Sequence, residues 1–363
     1  MKLFFSNCYL TILLAALLPI IRGAVRPIYN IAHMVNSIKE IDLYLKRGAN
    51  AIEADVSFSL NGTALYTFHG YPCDCFRHCT EREDIETYLA HVRDITKPDN
   101  PNYKKQLVLL FLDLKISSLP ASVKANAGSD LARKVVPSLF EYGKTTSQIK
   151  LLLSIGHVFD YDFVLGFQNE LESSKMDHLN DKIGWDVGMN DKISDVIAMW
   201  QRIEIVENIW LGDGCSNCIS PFYNLGRLNE VVSQRDLRSG MVPDPVIDKV
   251  YHWTIDFHNN MRSSLKFGVD GIITNHPERL SAIIKEPNYR FKYRLATKED
   301  DPWERIQSDP EEKPAPSANE LQPVSLRVVT SASDMFISFT KYLRDFVFLR
   351  LPIYHNASVR AIK

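Results

Sequence analysis

Past its first two dozen residues the sequence has no run of about 20 uncharged apolar residues. That is the length a helix needs to cross a bilayer, so no membrane span is read in the mature chain. An excess of charge of one sign is also missing. The formal net charge of −2 gives no general electrostatic pull toward nucleic acid. No repeat recurs at the roughly 20–50-residue periods of solenoids. Cysteine is sparse, six residues in 363, and Cys8 falls in the amino-terminal segment. There Lys2 precedes an apolar stretch at 10–21 and a small residue, Gly23. The reading is a secretory signal over 1–23, too short in its apolar part to be a membrane anchor.

An exported protein has disulfides as its default, with zinc as the alternative for Cys73, Cys75, Cys79, Cys215 and Cys218. Spacing alone does not choose among the pairings. The odd count leaves a free thiol or a bond to another molecule. Asn61-Gly62-Thr63 and Asn356-Ala357-Ser358 are sequons for N-glycosylation.

Short β-branched apolar runs alternate with longer amphipathic stretches. Strands are expected at 28–32, 51–58, 107–114, 149–155, 183–187, 205–210, 250–255 and 271–274. Between them, 37–46, 130–141 and 191–204 carry helical spacing. Eight strands alternating with helices over about 250 residues fit an α/β fold closed as a single-domain (β/α)8 TIM barrel, here 24–306. An open doubly wound sheet is the alternative. The segment 307–322 is rich in Pro, Glu, Ser and Asp, the composition of a disordered linker. A C-terminal extension follows at 323–363. Its apolar patch is read as a packing helix or a variable tail rather than a lipid-contacting helix.

Barrel enzymes place their chemistry at the C-terminal ends of the strands. His33 ends the first run, Glu53 and Asp55 sit in the second, and Asp113 and Lys115 end the third. Two-residue spacing puts each pair on one face of its strand. Glu53 and Asp55 alone are as easily a salt-bridged pair at a strand edge. With Asp113 they make three acids that need a cation, and hard oxygens suit Mg²⁺ or Ca²⁺. Lys115 either binds a phosphate oxygen or neutralises a carboxylate. His69 ends another extended segment, and with His33 it forms a pair able to exchange protons with a phosphodiester. His78, His157, His252 and His276 lack such company and are read as structural or surface residues.

These residues lie in motifs that resemble a known family. Arg-Pro-Ile-Tyr-Asn-Ile-Ala-His-Met-Val-Asn at 26–36, Gly-Ala-Asn-Ala-Ile-Glu-Ala-Asp-Val-Ser-Phe at 48–58 and His-Gly-Tyr-Pro-Cys-Asp-Cys at 69–75 resemble the spider-venom phospholipases D. These are the dermonecrotic sphingomyelinase D toxins, related to glycerophosphodiester phosphodiesterases. Phe-Leu-Asp-Leu-Lys at 111–115, Val-Tyr-His-Trp-Thr-Ile-Asp at 250–256 and Val-Asp-Gly-Ile-Ile-Thr-Asn at 269–275 extend the likeness. Ala-Thr-Lys-Glu-Asp-Asp-Pro-Trp at 296–303 looks like the family motif that plugs the barrel base, with Asp301 for the usual Asn.

The resemblance implies a secreted, monomeric toxin acting on phospholipids and sphingolipids at membrane surfaces with one Mg²⁺. The lipid's own hydroxyl would displace choline or ethanolamine and leave a cyclic phosphate. It makes His33 and His69 the catalytic pair and Glu53, Asp55 and Asp113 the metal ligands. Lys115 would contact phosphate, Asn275 would order the site, and Tyr251, Trp253 and Asp186 would face the headgroup. It also implies the disulfides Cys73–Cys79 and Cys75–Cys218. Cys215 departs from the pattern, and Gly212 stands where many members carry Ser. The rivals are a glycerophosphodiester phosphodiesterase and an inactive lipid-binding homologue.

Overall fold

The computed structural model describes residues 25–75, 77–237 and 246–308. The expected signal, the C-terminal extension, Asn356 and nearly all of the linker lie outside these residues. The described residues begin with β1 (Arg26–Ala32), α1 (Ile38–Lys46) and β2 (Ala51–Phe58). A hairpin of β3 (Ala64–Thr67) and β4 (Glu83–Asp84) leads to α2 (Ile85–Ile95), β5 (Leu109–Leu114) and α3 (Ala121–Ser138). Next come β6 (Lys150–Ile155), α4 (Tyr161–Ser173), β7 (Ile183–Val187), α5 (Ile193–Arg202) and β8 (Trp210–Gly214). Then follow α6 (Gly226–Arg235), β9 (Lys249–Trp253), α7 (His258–Lys266) and β10 (Gly271–Thr274). The last elements among the described residues are α8 (Pro277–Ile283) and β11 (Tyr293–Leu295).

The main strands pair in parallel in the order β7-β6-β5-β2-β1-β10-β9-β8. The two ends meet where Trp185 of β7 bridges Ile209, the residue before β8. The Trp185 N–H donates to the Asn208 carbonyl at 2.9 Å. The sheet therefore closes as a (β/α)8 barrel, and the open-sheet alternative falls. Side chains alternate across the strands. Tyr29 and Ile31 of β1 fill the barrel interior with Phe111, Leu152, Trp210 and Tyr251. Ile28 and Ala32 face the helices. Each helix returns one apolar stripe to that outer face, such as Ile41, Tyr44 and Leu45 of α1. Full burial of a large apolar side chain stabilises by about 1.5–3 kcal/mol.

Seven of the eight expected strands stand within about two residues of their expected bounds, an ordinary scatter for element ends. The sixth does not. It was expected at 205–210 and runs instead from Trp210 to Gly214. Glu204 and Asn208 adopt φ of +59° and +62°, turning the chain on both sides of Ile205-Val206-Glu207. The true strand reads Trp-Leu-Gly-Asp-Gly, which lacks a β-branched signal.

The base of the barrel is closed by the segment around Trp303. Trp210 Nε1 donates to the Pro302 carbonyl at 2.9 Å, and Trp303 Nε1 donates to the Asp181 carbonyl at 3.1 Å. The Trp303 ring lies where a side chain at 184 would stand: a Cβ on Gly184 would meet its Cζ3 at 2.2 Å. Asp301 Oδ1 accepts the Trp303 N–H at 3.0 Å, so the acid at this position still shapes the turn.

Candidate active site

At the opposite end, β2 turns Glu53 and Asp55 inward, and its register with β5 sets Asp113 beside Asp55. One carboxylate oxygen from each of the three lies within 4.8 Å of the others. Burial, and then the charges of Asp55 and Asp113, push the Glu53 carboxyl well above the usual carboxylate range. Its Oε2 accepts the Met34 N–H at 2.7 Å, while Oε1 is buried without a partner among the described residues. Lys115 Nζ bridges Asp55 Oδ1 at 2.8 Å and Asp113 Oδ2 at 2.6 Å. Burial opposes the Asp55 charge, but Lys115, His69 and the Asn36 amide outweigh it and hold that carboxyl low. Burial likewise opposes the Lys115 ammonium, and Asp113 and Asp55 push its pKa up regardless. Three acids against one lysine leave surplus negative charge and an orphaned hard oxygen. That donor set fits a divalent cation of the Mg²⁺ or Ca²⁺ type.

His33 follows β1. Its Nδ1 lies 3.3 Å from Asn275 Oδ1 and 3.5 Å from Asp74 Oδ2, and Nε2 lies 3.9 Å from Glu53 Oε2. Burial holds its pKa below the ordinary histidine value despite Asp74 and Asp55. His69 follows β3, with Nδ1 at 2.8 Å from the Gly70 carbonyl. Asn275 is fixed in turn by Asp256, whose carboxylate accepts its Nδ2 at 3.0 Å and its N–H at 2.8 Å. Asp256 also accepts from Thr274 and Asn217, tying together three strand-end loops. Arg77 donates to the His33 and Met34 carbonyls at 2.6 and 3.0 Å.

Both implied disulfides are formed, Cys73–Cys79 and Cys75–Cys218, with Cα atoms 5.4 and 5.7 Å apart. Together they hold Asp74, which lies between two of the cysteines, against His33. Cys215 is free, and burial pushes its thiol up to about 12.

All of these acids and histidines except Asp256 open onto one cavity of about 630 Å³. Tyr251 and Trp253 form part of its wall. Asp186 and Asn275 stand behind the wall rather than on it. Asp186 is fully buried, and its Oδ2 accepts from Tyr251 Oη at 2.8 Å and Ser154 Oγ at 2.6 Å. Burial raises its carboxyl to about 7. Asn61 is exposed in the turn between β2 and β3, as an accessible sequon requires.

A family model described as Dermonecrotic toxin SPH matches residues 23–303. The chain belongs to the dermonecrotic toxin family. Dermonecrotic toxin SPH of Ixodes scapularis is 41% identical over 290 residues, covering 78% of this chain and 77% of that one. Dermonecrotic toxin StSicTox-betaIB1i of Sicarius terrosus is 40% identical, covering 77% of this chain and 99% of the toxin. Dermonecrotic toxin Hl-PLD1 of Hemiscorpius lepturus is 39% identical over 77% of this chain and 85% of that one. Among solved structures, a glycerophosphodiester phosphodiesterase from Parabacteroides distasonis is 15% identical with a TM-score of 0.43, covering 71% of this chain and 98% of that one.

Asp74 and Asp256 were not singled out in the sequence, and His157, expected to be a structural or surface residue, lines the cavity. The strand-end rule that found Asp113 also points to Asp256, after Trp-Thr-Ile, and to His157, after Leu-Ser-Ile-Gly. Asp74 was marked only by its two flanking cysteines. His252 is structural as expected. It is buried, bonded to Ser264 Oγ at 2.8 Å, and burial lowers its pKa to about 3.

Proposed function

We propose that this member of the dermonecrotic toxin family is a secreted, Mg²⁺-dependent phospholipase D-type enzyme. It releases the headgroup of sphingomyelin, ceramide phosphoethanolamine and lysophospholipids as a cyclising phosphorus–oxygen lyase. The observation that carries this reading is the convergence in one cavity of three carboxylates, an orphaned Glu53 Oε1, Lys115 and two histidines.

The lipid's hydroxyl oxygen bonds to phosphorus as the bond to the headgroup oxygen breaks. One imidazole of the His33–His69 pair takes the hydroxyl proton, and the other gives a proton to the leaving choline or ethanolamine oxygen. Glu53, Asp55 and Asp113 would hold the cation, which supplies positive charge to the phosphoryl oxygens. Lys115 adds to that charge. Asn275 keeps His33 oriented. Trp253 and Tyr251 offer ring faces to the headgroup ammonium, and Asp186 fixes the Tyr251 hydroxyl from behind.

A lipid surface as partner is supported by the loops around the cavity mouth. They carry exposed Leu60, Tyr71, Phe159, Met189, Ile219 and Phe222. Among the described residues no helix is long and apolar enough to cross a membrane. Two disulfides and the toxin family support export.

Phosphorus NMR of sphingomyelin incubated with the protein tests the reading. A cyclic phosphate resonance should appear, vanish with EDTA and return with Mg²⁺. Consumption of soluble glycerophosphodiesters alone would assign the rival phosphodiesterase activity. Lipid binding without turnover would make the barrel a docking scaffold.

A further inference from the structure

His157, expected from its sequence context to be a structural or surface residue, has a further place in the fold. It lines the same cavity as the metal-binding acids, just beyond the C-terminal end of β6. β6 flanks β5 on the side away from β2 and β1. His157 therefore stands across the acidic cluster from His33. Ser154 pairs in register with Asp113. His157 is three residues further along, at most roughly 10 Å closer to the mouth at 3.3 Å per residue.

The ring is held from several directions. Its Nδ1 lies 2.8 Å from Asp191 Oδ1. Asp191 is itself fixed by the Val158 N–H at 2.7 Å, and the His157 N–H donates to Asp160 Oδ2 at 2.9 Å. The Phe159 ring stacks on the imidazole with centroids 4.8 Å apart and planes 16° from parallel. A carboxylate only accepts, so in the neutral ring Nδ1 carries the hydrogen and Nε2 carries a lone pair. No hydrogen-bond partner of Nε2 occurs among the described residues. The result is an immobilised acceptor on the cavity wall.

The chemistry of the substrate decides what such an acceptor meets. Choline and an ionised phosphodiester carry no N–H or O–H. A sphingolipid has two donors near the phosphate, a hydroxyl and an amide N–H. In the cyclising reaction the hydroxyl is the nucleophile and is engaged with phosphorus and its base. The amide N–H is left. A lysophospholipid uses its one free hydroxyl as nucleophile, and its ester has no donor. We propose that His157 Nε2 accepts the amide N–H of a sphingolipid, making His157 a determinant of sphingolipid over lysophospholipid. This inference rests on the proposed function.

The test compares sphingomyelin with lysophosphatidylcholine in matched detergent micelles, so that both substrates carry choline. Asparagine can reproduce the Nδ1 contact with Asp191 but lacks Nε2, whereas glutamine can place a polar atom near the Nε2 position. His157→Asn should lower kcat/KM for sphingomyelin roughly fivefold, the scale of one net hydrogen bond, and change lysophosphatidylcholine by less than about twofold. His157→Gln should recover most of the loss. Equal losses on both substrates, or no loss on either, would overturn the inference. If the parent protein turns over neither lipid, the proposed function fails first, and equilibrium binding to the same micelles decides this question. A parental preference for sphingomyelin micelles that His157→Asn abolishes supports the contact, and equal binding by parent and variant overturns it.

Discussion

His33 and His69 each commit Nδ1 to an acceptor, Asn275 Oδ1 at 3.3 Å and the Gly70 carbonyl at 2.8 Å. Tautomer choice is thus made by neighbours before substrate arrives. His33→Ala and His69→Ala should each lower kcat by roughly 10²–10⁴, the usual weight of a general acid or base. Headgroup release on micelles checks this, with circular dichroism to verify the fold. Parental turnover in either variant removes that histidine from the mechanism. Asp186 has a different signature. Its buried carboxyl titrates at about 7, against about 3.9 in an unfolded chain. Between those values the native state keeps a proton that the unfolded state has released, so this group's contribution to stability falls as pH rises. Asp186→Asn keeps an acceptor for Tyr251 and Ser154 but does not titrate. In urea denaturation the parent should lose stability relative to that variant between pH 5 and pH 8. A constant difference would show that the carboxyl does not titrate in that window. The acids and histidines were legible in the sequence because each ends or interrupts an apolar run. Asp256 obeys the same strand-end rule, but its bonds to Asn275, Asn217 and Thr274 join loops far apart in the chain, and Asp74 reaches His33 only through a loop shaped by disulfides.

β8 shows why one element was misplaced and what it does. A strand is read from side chains that fit a half-buried pleat, and this one carries two glycines and an aspartate in five residues. Gly212 is there because of Tyr251. The two residues are in register, and a Cβ on Gly212 would lie 2.3 Å from Tyr251 Cζ. Tyr251 thus crosses β8 from β9 to reach Asp186 on β7, through the gap that a side chain at 212 would fill. Gly212→Ala should cost about 1–3 kcal/mol of stability, as overpacking does. The cost should largely disappear in a Tyr251→Ala background, where the methyl has room, and a double-mutant cycle by urea denaturation measures it. Additive losses would mean that the ring and the glycine are independent. The remaining strands were readable because buried parallel strands are near-continuous apolar runs, as in Leu-Leu-Phe-Leu of β5, and β3 was met as the extended segment before His69, whereas the two-residue β4, Glu83-Asp84, carries no apolar signal.

At the scale of the whole barrel, chemistry and closure occupy opposite ends. The acids, histidines and disulfide-bound loops cluster where the strands finish, while Trp303 and its neighbours seal the end where they begin. Between them lies the interior layer containing Tyr29, Phe111, Leu152, Trp210 and Tyr251. Close-packed interiors transmit strain, so the separation is not guaranteed to insulate one end from the other. Trp303 is 9% exposed, fills the space above Gly184 and donates to the Asp181 carbonyl. Trp303→Ala removes that packing and leaves the carbonyl without its indole donor. The loss should approach the roughly 3–5 kcal/mol seen when a buried aromatic is truncated to alanine. The urea midpoint should fall accordingly. At a temperature where the variant remains folded, kcat/KM on sphingomyelin should stay within about twofold of the parent, because no group in the cavity has lost a partner. A fall in kcat/KM matching the loss of stability would instead mean that the base plug tensions Trp210 and, through its ring contact with Tyr251, the wall of the cavity itself.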